Sequence, residues 1–223
     1  MGMTLDFSIL GRFVDALALG LWTTIKLTLL CIVLGTTLGF VVGLLRSGPN
    51  RIIRAILGFY VELFRGTPVL IQLFWIFFCL PLILGVELPN FVSATIALTL
   101  YMGAITSETF RASLRSVGRE QLDACVALGL PRRAQIVNVI MPQAVLRAAP
   151  TLLSNAISLF KESALVSAVG MADLMFIGQN ISNNTARPVE VLTVVAAIYF
   201  IIAFPLTRVV TLLEQKLLRK FSA

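Results

Sequence analysis

Three groups of charged side chains stand inside, or at the ends of, otherwise apolar stretches: Lys161-Glu162-Ser163, Glu62 with Arg65, and Glu108. A charge held at bilayer depth costs about 3 kcal/mol or more unless it is paired or hydrated, so each group is a candidate for binding, gating or ion pairing. Lys161 and Glu162 are adjacent, and adjacent helical positions point about 100° apart, which makes them poor partners for each other. With Ser163 they offer a cation, an anion and a hydroxyl, the complement of a zwitterion; a structural pairing role fits the same residues. Glu62 and Arg65 share one helical face and precede Gly66-Thr67-Pro68, where a helix can bend. They read either as an ion pair holding that break or as a gate. Glu108 has Arg111 three residues on and reads as an interfacial ion pair or a gating residue. The chain has no histidine, and no nucleophile–base pair can be assembled, so no catalytic residue is assigned and enzyme chemistry in this chain is not expected. The three cysteines form no CxxC, and no metal site is expected.

The elements that carry these charges are apolar. Of 223 residues, 58% are hydrophobic and 13% charged, with a mean hydropathy of +0.94. Soluble domains carry about 25% charged residues, so neither a soluble globular protein nor a disordered chain fits. Uncharged runs at 27–45, 66–86, 88–107 and 191–207, and a run at 148–172 interrupted by Lys161-Glu162, predict five membrane spans at about 17–45, 55–84, 89–111, 148–172 and 190–212. A segment 1–16 precedes them and a basic tail 216–223 follows. Residues 1–12 lack a basic stretch before an apolar one, so no cleaved signal peptide is expected. The second span is overlong, and Gly66 with Pro68 is expected to break it. Gly35, Gly39 and Gly43 repeat every four residues, a pattern that lets helices approach closely within or between subunits. Cys31 and Cys79 lie in apolar runs and read as packing residues.

Charge sets the orientation. Thirteen of the eighteen lysines and arginines fall on one side of a five-span arrangement, giving that side +10 against −3 elsewhere. The positive-inside rule then puts the N-terminus outside and the C-terminus in the cytoplasm. The net charge of +7 is thus a topological signal, and no nucleic-acid partner is expected. No GxxxxGK[ST] loop is present to cradle nucleotide phosphates, so any ATP-driven work belongs to another subunit.

The cytoplasmic segment 118–142 holds the most specific pattern. Leu122, Cys125, Val126 and Leu128 give one stretch an apolar side, Gly129 suits a left-handed helix stop, and Pro131 bars continuation. A second amphipathic stretch over 132–141 meets Pro142. Asp123-Ala124-Cys125, Gly129 after three further residues, and Val139-x-Met141-Pro142 after nine more keep the spacing of EAA, three residues, G, nine residues, I-x-L-P. Here the chain resembles a permease subunit of the type I ABC importers, in the polar amino-acid and opine branch. Glu62 to Pro68, Glu108 to Arg111, Pro142-Gln143-Ala144 and Lys161 to Leu165 extend the resemblance over about 17–215.

The resemblance implies an all-α membrane fold in a bacterial cytoplasmic membrane. It implies that Asp123, Ala124, Cys125, Leu128, Gly129 and Pro142 belong to the segment that docks on an ATP-binding cassette ATPase. Two such subunits would hold ATP and Mg, and this chain would bind no cofactor. A second permease chain, identical or paralogous, and a periplasmic or lipid-anchored solute-binding protein are the other implied partners. The solute would be a polar amino acid or opine, with Lys161, Glu162 and Ser163 lining its path. Glu162 and Ser163 replace the aspartate and threonine of the family's segment. Cys125 reads as a packing residue or a redox-sensitive position. An ion-coupled secondary transporter or a channel subunit is the alternative; it needs no ATPase and leaves the 118–142 pattern unexplained.

Overall fold

A computed structural model describes residues 6–221; the first five residues of segment 1–16 and the last two of tail 216–223 lie outside the described residues. After a short 3-10 helix, Ser8–Phe13, the chain runs through α1 (Val14–Ser47), α2 (Arg51–Gly66), α3 (Val69–Leu84), α4 (Asn90–Arg115), α5 (Arg119–Ala127), α6 (Arg132–Val169), α7 (Leu174–Thr185) and α8 (Pro188–Phe221). Among the described residues, four helical stretches are long and apolar enough to cross a membrane, and α2 with α3 makes up to five if that bent pair is one span. The expected break at Gly66–Pro68 is present and sharp, with a bend of 112°.

α1 is the central strut. At 34 residues it is about 50 Å long, more than a bilayer's hydrocarbon core. It packs along α4 because its glycines leave no side chain in the way. A methyl group on Gly35 would sit 2.6 Å from Met102 Cβ, and one on Gly39 would sit 2.6 Å from Thr106 Cβ and 2.7 Å from the Gly103 carbonyl oxygen. The repeat therefore serves packing within the chain. The main apolar core gathers Leu27 and Cys31 of α1, Leu73 and Ile76 of α3, Leu98 and Met102 of α4, and Leu159 and Val166 of α6. Cys31 is buried there, as its apolar setting predicts, while Cys79 is half-buried.

Two sequence expectations change. The helix containing the fourth span begins at Arg132 and not near 148, so the amphipathic stretch does not stop at Pro142. Proline lacks an N–H and crowds the carbonyl four residues back. A π-helical turn over Gln135–Ile140, just upstream, widens the helix to i→i+5 spacing and lets it pass. The interval 173–190, left between the predicted fourth and fifth spans, is mostly α7. Asp173 caps it, its carboxylate accepting the backbone N–H groups of Met175 (3.2 Å) and Phe176 (2.9 Å), and the Leu174 N–H bonds to Thr24 Oγ1 of α1 at 3.0 Å.

Candidate functional site

The segment 118–142 forms a short helix, a glycine stop and a second helix. α5 ends in a pair of reverse hydrogen bonds, Leu130 N–H to Cys125 O (3.0 Å) and Gly129 N–H to Val126 O (2.9 Å). This closing motif requires a left-handed residue, and Gly129 supplies it at φ +66°. The Gln135 side-chain amide donates to Leu130 O at 2.7 Å and ties the stop to α6. Further down α6, Arg147 donates to the Ser116 backbone oxygen and anchors the entry to α5. The apolar side expected of α5 is mostly turned outward. Cys125 is buried, but Val126 is 66% and Leu128 77% exposed, and Asp123, Ala124 and Pro142 are exposed as well. The buried thiol fits the packing role. The exposed pair forms an apolar surface on a rigid, tied-down knob.

At the other end of α6, Glu162 is half-buried and accepts a hydrogen bond from the Tyr101 hydroxyl of α4 at 3.0 Å; its second oxygen is buried without a partner among the described residues. Lys161 is exposed and forms no ion pair with Glu162 among the described residues. Ser163 is fully buried and donates to the Phe160 carbonyl, so its hydroxyl serves the backbone. These residues do not interrupt a helix at its middle, as expected, but stand where α-helix gives way to the 3-10 turn Ser163–Val169. Below them Thr151, Ser154, Ser158 and Lys161 are all exposed, at spacings of three, four and three residues, on one face of the helix. Asn155, beside that face, donates to Thr109 Oγ1 of α4 at 3.1 Å. A polar face on a membrane-length helix requires water or another chain against it.

The Glu62–Arg65 ion pair does not form among the described residues, and both side chains are exposed. Gln72 holds the break instead. Its buried amide nitrogen lies 2.8 Å from Phe64 O and 2.9 Å from both Thr67 O and Thr67 Oγ1, bridging the end of α2 to the start of α3. Thr67 also donates to Leu63 O at 2.7 Å. Glu108 is bound from two sides, by Arg111 at 3.5 Å within α4 and by buried Arg46 of α1, and Arg65 adds to the positive potential around it. Arg46, just past the predicted end of the first span at 45, is thus the end of that helix clamped to α4.

The family described as "Binding-protein-dependent transport system inner membrane component" matches residues 35–219, which include α5, the Gly129 stop and the Lys161-Glu162 junction. The chain belongs to this family. It is a membrane-spanning permease, a non-catalytic subunit and a multi-pass inner-membrane protein. The permease is 33% identical to the arginine transport system permease protein ArtQ of Bacillus subtilis over 215 residues, 96% of this chain and 98% of ArtQ. It is 37% identical to the L-cystine transport system permease protein TcyB of the same organism over 199 residues, 89% of this chain and 85% of TcyB. A crystal structure of an amino acid ABC transporter with histidines aligns with a TM-score of 0.90 at 32% identity, covering 96% of this chain and 100% of that one.

Sequence reasoning missed four parts of the permease's polar framework: Tyr101, Gln72, Arg46 as a partner of Glu108, and the stripe of Thr151, Ser154 and Ser158. The stripe was the most legible. Polar residues at three- and four-residue spacing carry a helical signal, although small hydroxyls pass unnoticed among apolar neighbours. Tyr101 and Arg46 are 61 and 62 positions from their acidic partners, and no local spacing joins them.

Proposed function

We propose that this permease forms half of the transmembrane path of an ATP-driven importer for polar amino acids. A second permease chain supplies the other half, two ATP-binding cassette subunits holding ATP and Mg dock from the cytoplasm, and a solute-binding protein delivers solute from outside. The N-terminus lies outside and the C-terminus inside. Supporting the solute class are the substrates for which ArtQ and TcyB are named, arginine and L-cystine. A cation beside an anion, at the head of an exposed polar stripe, has the complementarity a zwitterion needs.

The observation that carries the coupling role is the outward-facing apolar surface of α5. Val126 and Leu128 are exposed while the helix is pinned at both ends by Arg147 and Gln135. A helix presented in this way suits insertion into a partner's groove. Because its ends are fixed to α6, displacement of α5 by closing ATPase subunits is transmitted to the helix that bears the polar stripe. Alternating access follows: the path opens outward when the ATPases close on ATP and inward after hydrolysis.

The test is Gly129→Asp in the complete complex reconstituted in liposomes. The substitution adds a side chain at φ +66° and a charge to the docking surface. The variant is expected to insert and purify normally, to hydrolyse ATP, and to take up little solute. Uptake at the parental rate removes α5 from the coupling role. Uptake by the parental protein that continues with nucleotide depleted assigns the chain to a channel or an ion-driven carrier.

A further inference from the structure

The ends of α1 and α4, the approach to α2 and the widened turn of α6 enclose a cavity of about 540 Å³. Four arginines line it, Arg46, Arg54, Arg111 and Arg115, with Ser47 beside them and no acidic side chain among the lining residues. Glu108 is bound by Arg46 and Arg111, and Arg54 and Arg115 form no ion pair among the described residues. Arg46 is 6% exposed, and its Nε–H is buried without a partner among the described residues. Arg54 is held toward the cavity's rim through the Gly48 and Pro49 carbonyls, at 3.3 and 3.4 Å. The remaining wall is apolar, and two of its side chains, Leu44 and Ile136, are exposed.

Concentrated, incompletely satisfied guanidinium groups favour phosphate, which they bind in bidentate fashion. The apolar half of the wall is superfluous for a free phosphate ion and suits an amphiphile. The cavity also stands at the ends of two membrane-length helices, where hydrocarbon gives way to headgroups, and basic pockets at that level are suited to anionic lipid heads. We propose that this cavity binds the phosphate headgroup of an anionic phospholipid, with acyl chain against Leu44 and Ile136. Such binding needs neither a transported solute nor an ATPase.

The test uses the full-length chain purified in mild detergent and titrated with dioctanoyl phosphatidylglycerol, dioctanoyl phosphatidylcholine or inorganic phosphate. Binding is read by native mass spectrometry and by thermal stabilisation. The parental chain is expected to prefer phosphatidylglycerol over phosphatidylcholine by about tenfold, and Arg54→Gln with Arg115→Gln to abolish most of that preference. Both arginines are exposed and lie outside the Arg46–Glu108 clamp, so gel filtration should show an intact fold; the single substitutions serve if the double one does not fold. Equal binding of the two lipids, or a preference undiminished in every folded variant, overturns the proposal. Stabilisation by inorganic phosphate equal to that by phosphatidylglycerol overturns the lipid source. Loss of ATPase-subunit co-purification in the variant, with lipid preference unchanged, assigns the arginines to an acidic protein surface and overturns it as well.

Discussion

Glu162 has one carboxylate oxygen on the Tyr101 hydroxyl and the other buried with no partner among the described residues. A buried acceptor left unmatched costs about 1–3 kcal/mol, which a cationic group of a bound solute would offset. Glu162→Gln keeps the shape and the contact with Tyr101 but removes the charge. Uptake in proteoliposomes should fall about tenfold or more, since hydrogen bonds to charged groups are worth about 1.5–3 kcal/mol, while ATPase subunits still co-purify. Unchanged uptake kinetics would exclude a solute-contacting role. Asp173 poses a different case. It is fully buried, and desolvation pushes its carboxyl from the ordinary 3.8 up to about 6, against the opposing pull of the Phe176 and Met175 N–H groups. The folded state therefore holds this proton more tightly than the unfolded chain does. Stability should be greatest below the ordinary carboxyl range, decline as pH rises toward about 6, and then level off. Melting curves of Asp173→Asn, which keeps a capping oxygen, should lack that decline. Asp173→Ala should lose about 1 kcal/mol through the missing cap. A decline that persists in the Asn variant has another source.

Glycines at the scale of elements separate by what surrounds them. Gly39 lies where α1 crosses α4, and any side chain there meets Thr106 and the Gly103 carbonyl. Gly58 in α2 has nothing within 4 Å of the corresponding position. Gly39→Ala should destabilise by about 1–3 kcal/mol through overpacking. Gly58→Ala should be neutral or stabilising by about 0.5–1 kcal/mol, because alanine loses less backbone freedom in a helix. Thermal melting in detergent separates the two, and equal shifts would contradict the packing of α1 on α4. The Gly35-Gly39-Gly43 repeat was legible because close helix approach leaves a local, periodic signature. So was the stop at Gly129, because a left-handed residue followed by proline is a local requirement. The continuation of α6 through Pro142 was not legible. Whether a helix stops at proline or widens around it depends on what packs beside it, here α5 against Gln135–Ile140.

For the whole molecule, charge asymmetry predicts alternating sides for the connections around 48–50, 85–89, 116–131 and 170–173. An enzymatic reporter active only outside the cytoplasm should work when inserted at 85–89 or 170–173 and fail at the C-terminus. If the 112° bend between α2 and α3 instead makes a re-entrant loop, the 85–89 insertion will be silent. Exposure is also informative at this scale. The isolated chain leaves both the stripe of Thr151, Ser154, Ser158 and Lys161 and the Val126–Leu128 surface uncovered. One faces from a membrane-length helix and the other from the knob at α5, which matches a subunit that has two different kinds of partner.

Hydrophobic runs, glycine spacing and the pattern from Asp123 to Pro142 determined the membrane class, the broken second span and the family, because each depends on residues close together along the chain. The Glu108–Arg111 pair was legible from its three-residue spacing, and tertiary structure decided the other partners. Arg46 at the end of α1 was bound to Glu108, Glu62 and Arg65 were left apart, and the break at Gly66–Pro68 was given to Gln72. The physical reason is that a charge in an apolar surrounding takes the partner that packing brings within reach. That partner stood 62 positions away for Arg46 and was never set by spacing along the helix.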